Sequence, residues 1–547
     1  MNKYELFPGI FANKGQTEAL DLLNDFLRSD EKLFMLNGRG GTGKSTIIRK
    51  ITESYPGSRY IGITVSHKAK KVLGRVIGRK RVTTVASSLV IRLNDQTGEF
   101  KPDHFLRRKK GIPLQKYDLI IVDEASMISQ ELFDEIIEFK KPIAKVIFLG
   151  DNSQLPPIGS NKVSPVFELP NKYTLTEKMR QAATSPIINI GELISNNYES
   201  ENTVLRAITP ELRVNQYDEI SGSSIIFEAS RKKVLDMFVE DFQSDPRNVN
   251  NVKAITFNNE NHTSGQSVGN LNRIIREKLW GNDAKNQYVP GELLMSYDSF
   301  GDENDPIFSN SEDFILLGSY TQKGVLLKAS AYDYQLSKTV FFEDKYDLNY
   351  LDLEDEEGNE YDEIPVIAES SKEKFKNDLS KMWNISKPLY FSMKSQVANL
   401  QYGYAITSHK SQGSTYQSCY VFEDNILGPT NASSIESKNQ ALYVAVSRPK
   451  KKLVIVSSQN TVQAENTQSS VDSIVPKVPT FKIKKEEVIT ASISNQQGEI
   501  LNVITDSGFT SFKQIIELLV YRSRCGKGNF LFDFSNSTES KQIKKKI

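Results

Sequence analysis

A glycine-rich octapeptide near the start of the chain has the composition and spacing of a phosphate-binding loop. Residues 38–45 read Gly-Arg-Gly-Gly-Thr-Gly-Lys-Ser and match the pattern G-x-x-x-x-G-K-[ST] without a mismatch. Glycines let backbone N–H groups turn inward around an anion, and the N-terminus of the helix expected after the loop adds positive potential. We therefore predict that this segment binds the phosphates of ATP through Gly38, Gly40, Gly41, Thr42, Gly43, Lys44, Ser45 and Thr46.

Charged and hydroxyl side chains in and beyond this loop could supply the chemistry of phosphoryl transfer. Lys44 is expected to reach the β- and γ-phosphates as a catalytic cation, and the Ser45 hydroxyl is expected to bind Mg²⁺. Asp123 and Glu124 directly follow the apolar segment Leu119–Val122. We predict that Asp123 also holds Mg²⁺ and that Glu124 accepts a proton from the attacking water.

These residues need a scaffold that brings them together. Short apolar segments separated by helix-length sequence predict a doubly wound parallel sheet of the α/β class. The segments are Leu33–Leu36, Ile61–Val65, Leu119–Val122 and Val146–Leu149. Gln154 follows the last of them, at the carboxyl end where open α/β sheets bind ligands. Its neutral amide is predicted to sense the γ-phosphate.

Composition limits the class of protein. A chain of 547 residues is too long for one hydrophobic core, so roughly two to four domains are expected. The net charge is +1, so any nucleic-acid site must be a local basic track. Two cysteines are too few for a disulfide framework, a zinc site of four cysteines or a cysteine-ligated iron–sulfur cluster. There is no signal-peptide pattern and no apolar run near the ~18 residues of a membrane span, so we expect a cytoplasmic protein.

The α/β pattern begins again in the second half of the chain and is interrupted there. A strand at Val252–Phe257 and a helix at Val268–Leu279 are predicted, and the pattern resumes from Tyr402. The intervening residues 289–395 are rich in short β-type runs, which predict an inserted small β domain. The acidic stretch Glu354–Glu357 within it is interpreted as a solvated turn.

Together these motifs resemble those of the superfamily 1 helicases, specifically the 5′→3′ RecD/Dda-like branch, superfamily 1B. The similarity spans about residues 12–458, in the order of the family's motifs. The matching segments are Leu36–Ser45, Thr64–Lys71, Ile121–Ser126, Gly150–Pro157, Leu175–Arg180, Thr256–Asn258, Thr407–Ser414 and Leu442–Arg448. The resemblance implies an ATP-dependent DNA helicase of phage-like type that translocates 5′→3′ on single-stranded DNA, in replication, recombination or repair.

The resemblance also implies a layout with two RecA-like motor domains. The first motor domain is implied at 1–185, with a β-hairpin insertion (the pin) at about 86–112. The second motor domain is implied at 186–288 and 396–458. Between its two parts, residues 289–395 are implied to form a small Src-homology-like β-barrel, which in relatives braces the pin. Residues 459–480 are predicted to be a linker, and 481–547 a C-terminal module to which no role is assigned.

Further residues of the nucleotide site follow from the resemblance alone. Gln16 is similar to the family's adenine-reading glutamine, whose amide can pair with adenine N6 and N7. Arg180 and Arg448 match two family arginines that stabilise charge on the γ-phosphoryl oxygens, one from each side of the cleft. Gln412 and Gly413 lie in the family's motif V and are expected to contact the nucleotide.

DNA contacts are implied in the same way. Hydroxyl, imidazole and ammonium donors suit phosphate oxygens and position a strand without reading its sequence. The implied contacts are Thr64, His67, Lys68, Thr84, Thr256, Asn258, Thr407, His409 and Lys410. Two positions depart from the family's pattern, namely Ala86, where relatives often carry histidine, and Ser311, where relatives often carry glycine.

A turn at Asp95–Gly98 between two short β-type runs predicts a hairpin at the place of the pin. Phe100 and Phe105 are expected to stack on a base pair of the duplex, an interaction of ~1–3 kcal/mol per base. The alternative interpretation is that both phenylalanines pack into the motor domain.

Two other functions are compatible with parts of the pattern. An RNA helicase of the same superfamily would use similar backbone contacts, although the sequence has no Cys/His-rich zinc module. A P-loop ATPase that acts on a protein partner without translocating would not need the segments that resemble the family's motifs Ia (Thr64–Lys71), V (Thr407–Ser414) and VI (Leu442–Arg448). The expected partners are single-stranded and forked duplex DNA, with a single-strand-binding protein or replisome component as a further candidate, and the chain is expected to be a monomer.

Overall fold

The structure is a computed structural model. It describes residues 4–55, 59–157, 162–177, 184–198, 213–259, 265–301, 306–428, 434–460, 492–494, 500–502 and 531–533. The chain divides into two compact units, Met1–Val462 and Gln463–Ile547. In the described part of the second unit, Ser492–Ser494 pairs antiparallel with both Ile500–Asn502 and Leu531–Asp533. No helix within these ranges is long and apolar enough to cross a bilayer.

The first large sheet of the first unit is parallel throughout and carries the glycine-rich loop. Its strands are, in spatial order, Lys172–Leu175, Leu33–Gly38, Lys145–Gly150, Leu119–Asp123, Tyr60–Thr64 and Val82–Thr84. The longer helices around it are Lys14–Arg28, Lys44–Glu53, His67–Ile77 and Gln130–Phe139. Leu36 and Ile121 belong to the core on one face, and Met35 and Ile120 to the core on the other. Burial on both faces explains why these strands are continuous apolar runs.

A second parallel sheet lies in the second half of the first unit. Its strands are, in spatial order, Gln216–Asp218, Ser223–Glu228, Pro449–Val456, Tyr416–Phe422, Val252–Thr256 and Ala405–Thr407, and only the first pair is antiparallel. Its longer helices are Pro186–Asn196, Arg231–Ser244, Val268–Trp280 and Ile435–Val446. The predicted α/β class with parallel sheets is therefore confirmed. We call the two halves the first and the second α/β domain.

The third sheet is antiparallel and is inserted within the second α/β domain. Its strands are, in spatial order, Glu360–Ile367, Lys338–Asp355, Asp313–Asp333, Leu293–Ser296 and Leu400–Tyr402. We call residues 293–402 the insert. Tyr402 belongs to this sheet, so the return to the α/β pattern comes slightly later than the sequence indicated.

Two helices of the insert, Glu369–Ile385 and Lys387–Lys394, were not predicted from the sequence. They pack on one face of the long hairpin formed by the two longest strands, where Phe375 and Met382 join a core with Leu327 and Tyr346. The β-type runs dominated the sequence pattern, but half of the hairpin's surface is apolar and needs a covering layer. The insert is therefore a sheet with helices and not β structure alone.

The predicted hairpin consists of Ile91–Asn94 and Glu99–Pro102, with Leu93 opposite Phe100. The short helices Val85–Leu89 and His104–Lys110 flank it. Phe105 therefore lies on the following helix and not on the hairpin itself. Because Phe100 is 71% exposed and Phe105 64% exposed, the alternative that both pack into the domain core is wrong.

Candidate nucleotide site and nucleic-acid interface

The glycine-rich loop is shaped by two glycines in the left-handed region. Gly41 has φ of 80° and Gly43, the residue before helix Lys44–Glu53, has φ of 90°. The ammonium of Lys44 donates to the carbonyls of Gly38 and Arg39, the latter at 3.2 Å. Ser45 is exposed at the start of the helix. The loop thus presents a flexible cation, a free hydroxyl and a helix N-terminus on one side, which is what a polyphosphate needs.

Gln16 supports the loop from behind. Its Oε1 accepts from the Asn13 backbone N–H at 3.1 Å in a capping box, and its Nε2 donates to the Thr42 carbonyl at 3.3 Å. A Cβ at Gly43 would lie 2.4 Å from the Gln16 amide nitrogen, and the φ of 90° there also favours glycine. Gln16 is 1% exposed, and its predicted contact with adenine requires these bonds to rearrange.

An acidic pair closes the strand Leu119–Asp123 beside the loop. Glu124 adopts a φ of 53°, and its backbone N–H donates to the Asp123 carboxylate at 2.9 Å. Burial raises the pKa of both carboxyl groups. The charge of Asp123 raises the pKa of Glu124 further, to about 7, although Arg448 and Lys44 oppose the shift. A carboxylate with a raised pKa beside a phosphate loop is a candidate proton acceptor.

A hydrogen bond joins the two α/β domains next to this pair. The side-chain amide of Gln412 donates to the Gln154 side-chain carbonyl at 3.1 Å and to the Ser126 hydroxyl at 3.4 Å. Gln412 follows the short helix Ser408–Ser411 of the second domain, whereas the other two residues belong to the first. The two predicted glutamines are therefore brought together, and Ser126 is an addition that spacing alone did not reveal.

Arg448 is buried near the acidic pair but bonds within its own domain. Its guanidinium donates to the carbonyls of Val444 and Ser414 and to the Ser447 hydroxyl. Its charge still lowers the pKa of Glu124, so it lies within electrostatic range of the site. Arg180, the other predicted arginine, lies outside the described residues. Thr46 lies in the first turn of helix Lys44–Glu53, and Gly413 has a φ of 74°, in the left-handed region.

Four predicted DNA contacts share one structural position. Thr64, Thr84, Thr256 and Thr407 each end a parallel strand, two at one edge of each sheet. All four are at most 5% exposed. The hydroxyls of Thr64, Thr84 and Thr407 bond locally, as when Thr84 caps the helix that follows it, whereas the Thr256 hydroxyl donates to the Gln266 and Asn425 oxygens. The threonines therefore shape the strand ends and leave little of their own side chains accessible.

Other predicted DNA contacts gather around one turn of the insert, Ser309–Asp313. His67 shares a hydrogen bond of 3.0 Å with Ser309, and Lys68 donates to Asp313 at 2.7 Å. Lys410 donates to Asn310 at 3.3 Å and to Ser311 at 3.4 Å. Burial lowers the pKa of both His67 and His409, so each imidazole is neutral at neutral pH.

Asn258 does not reach this turn. Its side-chain amide donates to the Asn425 side-chain carbonyl at 3.4 Å, and the same carbonyl accepts from the Thr256 hydroxyl. Thr256 and Asn258 are therefore held by the short helix Glu423–Ile426, which follows strand Tyr416–Phe422. His409 contacts Phe257 edge-on, with ring centroids 5.5 Å apart. Phe257 directly follows strand Val252–Thr256, so this contact places the segment Thr407–Ser414 (motif V) against the end of that strand.

The acidic stretch is not simply a solvated turn. Glu356 pairs with Arg75, and Glu357 pairs with Arg79 at 2.9 Å, so the stretch joins the insert to helix His67–Ile77 and its C-terminal end. Asp355 is 6% exposed and accepts from backbone groups of its own turn. The sequence interpretation was wrong because the arginines that the glutamates meet are some 280 residues away.

The turn of the hairpin rests on the insert. Gln96 donates to the Tyr332 carbonyl and accepts from the Tyr334 backbone N–H, each at 3.1 Å. Lys387 donates to the Thr97 carbonyl at 2.9 Å. A Cβ at Gly98 would come within 3.0 Å of the Trp383 ring, so the turn lies directly against the second layer of the insert.

The chain is similar in sequence to known protein families and helicases. The family model "AAA domain" matches residues 12–209, and "UvrD-like helicase C-terminal domain" matches residues 402–456. The ATP-dependent DNA helicase dda of Enterobacteria phage T4 is 26% identical over 468 residues, which cover 80% of this chain and 97% of that protein. The ATP-dependent RecD2 DNA helicase of Deinococcus radiodurans is 32% identical over 183 residues, which cover 32% of this chain and 23% of that protein. The Pif1 helicase structure from Candida albicans aligns with 84% of this chain and 99% of that chain at 17% identity and a TM-score of 0.38.

Proposed function

We infer that this chain, a relative of the superfamily 1B (RecD/Dda-like) helicases, is an ATP-dependent DNA helicase that translocates 5′→3′ on single-stranded DNA and unwinds duplex DNA. The observation that carries the proposal is the bond from Gln412 to Gln154 and Ser126. It connects the second α/β domain with the segments that follow strands Leu119–Asp123 and Lys145–Gly150 of the first, beside the acidic pair. A motor needs such a link, because the binding and hydrolysis of ATP must change the position of one domain relative to the other while both hold one DNA strand.

The donor set fits ATP with Mg²⁺. The exposed Ser45 hydroxyl and the Asp123 carboxylate would be the protein's oxygen ligands for Mg²⁺, with phosphate oxygens supplying others. Mg²⁺, when bound, neutralises charge on the β- and γ-phosphate oxygens. Lys44 leaves the loop carbonyls to hold the phosphates, and Glu124 accepts a proton from water.

We propose that Gln412 and Arg448 complete the site from across the cleft when the domains close, next to Gln154 of the first domain. Arg448 must then exchange its bonds to Ser414 and Val444 for the γ-phosphoryl oxygens. Gln16 would read adenine, Arg180 would supply a second cation, and Gly413 and Thr46 would approach the nucleotide with their backbone.

For the DNA path, we propose that the strand lies along the ends of the four threonine-terminated strands. Backbone N–H groups at these ends and the Lys410 ammonium would hold phosphates, with His67, His409 and Asn258 as neutral hydrogen-bonding groups. Such contacts do not read sequence, as a motor that passes over any sequence requires. Single-stranded and forked DNA are the substrates, with replication, recombination or repair as the setting and the cytoplasm as the location.

We propose that the hairpin is the pin that separates the strands, with Phe100 and Phe105 exposed to meet the junction. The insert is the counterpart of the family's small Src-homology-like barrel, and its contacts with Gln96 and Thr97 support bracing of the pin. The active form is a monomer, which a single-strand-binding protein or replisome component would recruit.

The experiment uses short duplexes with a 5′ or a 3′ single-stranded tail. We expect ATP-driven unwinding of the 5′-tailed DNA duplex by the wild-type chain and none by Lys44→Ala, which should retain single-strand binding. Preferential unwinding of 3′-tailed DNA would contradict the direction. Greater activity on tailed RNA would favour an RNA helicase, and ATP turnover that no nucleic acid stimulates would favour a P-loop ATPase acting on a protein.

A further inference from the structure

A row of cations on helix His67–Ile77 and the turn that follows it faces a row of carboxylates on the insert. Besides the pairs of Arg75 and Arg79 described above, Lys71 donates to Glu312 at 3.0 Å and Lys68 to Asp313 at 2.7 Å. The outer cations Arg75 and Arg79 are 50% and 69% exposed. Exposed pairs of this kind are weak and screened by salt. The seam between the first domain and the insert therefore depends on its inner end.

At the inner end, one carboxylate serves both α/β domains. The Asp313 side chain is 3% exposed, and it accepts from Lys68 and from Lys253, each at 2.7 Å. Lys253 is fully buried on strand Val252–Thr256 of the second domain. Burial acts to raise the pKa of Asp313, but the two ammonium groups outweigh it and hold that pKa below its usual range. Asp313 is thus a charged bridge between the two domains.

Lys68 and Lys410 lie in different electrostatic situations. The Lys68 side chain is 14% exposed, and its ammonium is compensated by Asp313. Lys410 bonds only to the neutral groups of Asn310 and Ser311 and lies over the Tyr297 ring, and no carboxylate pairs with it among the described residues. A DNA phosphate is attracted more strongly by an ammonium that no carboxylate compensates than by one that is already paired with a carboxylate.

We propose that Asp313 is a positioning residue for DNA-stimulated ATP hydrolysis. It holds Lys68 against Lys253 and so fixes the first domain relative to the second; Lys68 acts through this bridge and is not a ligand of the DNA backbone. The proposal rests on the proposed helicase function. It assigns the phosphate contact at this place to Lys410 and gives the turn Ser309–Asp313 a role in domain closure.

The decisive variant is Lys68→Met, which keeps the aliphatic stem and leaves the pair of Lys253 and Asp313 intact. Single-strand affinity is measured as a function of salt, together with DNA-stimulated turnover at saturating DNA. A direct phosphate contact contributes about 0.7 to the slope of log affinity against log salt. We expect Lys68→Met to leave this slope unchanged and to lower stimulated kcat about tenfold, whereas Lys410→Met should reduce the slope by about 0.7.

Asp313→Asn should lower stimulated kcat as Lys68→Met does, and Asp313→Glu should restore part of it. The double variant should be no worse than either single one, because both break the same bridge. If Asp313→Asn does not fold, the comparison of Lys68→Met with Lys410→Met still decides. Lys372→Met, which removes an exposed cation paired with Glu369, is the control for charge loss.

A slope reduced by about 0.7 in Lys68→Met, with unchanged kcat, would overturn the proposal and make Lys68 a phosphate ligand. Unchanged slope and unchanged kcat would also overturn it, because the bridge would then have no role in turnover. Both results are distinct from failure of the helicase function, which would appear as wild-type turnover that DNA does not stimulate.

Discussion

The hydroxyl of Tyr443 donates to the carboxylate of Asp151 at 2.5 Å in a buried hydrogen bond between the two α/β domains. Asp151 begins the loop that carries Gln154, and Tyr443 lies on helix Ile435–Val446, shortly before Arg448. Burial and the neighbouring carboxylate raise the pKa of Tyr443 well above its usual value, so the phenol remains a donor. The bond therefore connects the loop that carries the Gln154 amide with the helix that precedes Arg448.

Tyr443→Phe should therefore impair coupling between DNA and ATP. A hydrogen bond to a charged group contributes about 1.5–3 kcal/mol, which corresponds to a fall in DNA-stimulated kcat of roughly ten- to a hundredfold. Nucleotide affinity, measured by fluorescent ATP-analogue binding, should change by less than about threefold, because the loop is untouched. Tyr420→Phe is the matched control: it breaks a partly buried bond to Asp241 inside one domain and should lower stability only. Equal kcat in both variants would contradict the assignment.

Single-strand binding should weaken as the pH rises through about 8. Burial and the charge of Lys68 lower the pKa of Lys410 to about 8, although Asp298 and Asp313 oppose the shift. The ammonium is charged below that pH and neutral above it, so its attraction for phosphate is lost on the alkaline side. We expect affinity measured by fluorescence anisotropy to fall between pH 7 and 9 in the wild type. Lys410→Arg, which stays charged, should remove this dependence; an unchanged pH profile in that variant would assign the titration to another group.

Ser311→Gly should stabilise the protein. Ser311 has a φ of 67° in the turn Ser309–Asp313, a conformation that costs a residue with a Cβ about 1–2 kcal/mol and glycine much less. Part of this gain is offset by the greater freedom of glycine in the unfolded chain. We expect a net gain of roughly 0.5–1 kcal/mol, visible as a higher melting temperature by differential scanning fluorimetry. Ser311→Ala removes the hydroxyl without relieving φ and should not stabilise; equal melting temperatures for the two variants would show that φ is not the cause.

The double variant Phe100→Ala/Phe105→Ala should unwind 5′-tailed duplex more slowly while keeping its single-strand ATPase. Opening a base-pair step costs about 1.4 kcal/mol, and translocation on single strand never meets the junction. Both rings are exposed, so their removal creates no cavity in the core. Stopped-flow unwinding is compared with steady-state ATPase on single-stranded DNA. Phe11→Ala, an exposed phenylalanine on strand Ile10–Phe11, is the control, and unwinding at the wild-type rate in the double variant would exclude a wedge.

The parts of the site that the sequence predicted are those whose contacts are local. The glycine-rich loop needs only eight consecutive residues and the helix after them, so its pattern and its geometry coincide. The strand-end carboxylates and Gln154 were also predictable in place, because parallel strands bring their carboxyl ends to one edge.

The remaining features depend on contacts that spacing does not encode. Asp151 and Tyr443 are 292 residues apart, and Lys68 and Asp313 are 245 residues apart. The sequence identified Lys68 by residue type as a phosphate contact, but its environment comes from a carboxylate on the insert. The same holds for Glu356, whose partner Arg75 lies on helix His67–Ile77, 281 residues earlier in the sequence.

The contact between Gly98 and Trp383 gives the chain a built-in optical reporter. The chain has two tryptophans. The other one, Trp280, is away from the hairpin, and its indole donates to the Tyr404 hydroxyl at 2.9 Å. Trp280→Phe would leave Trp383, 41% exposed at the hairpin turn, as the sole indole emitter. Its emission would shift whenever the turn separates from the insert, so the hairpin's movement during a single encounter with a fork becomes measurable in real time without any attached dye.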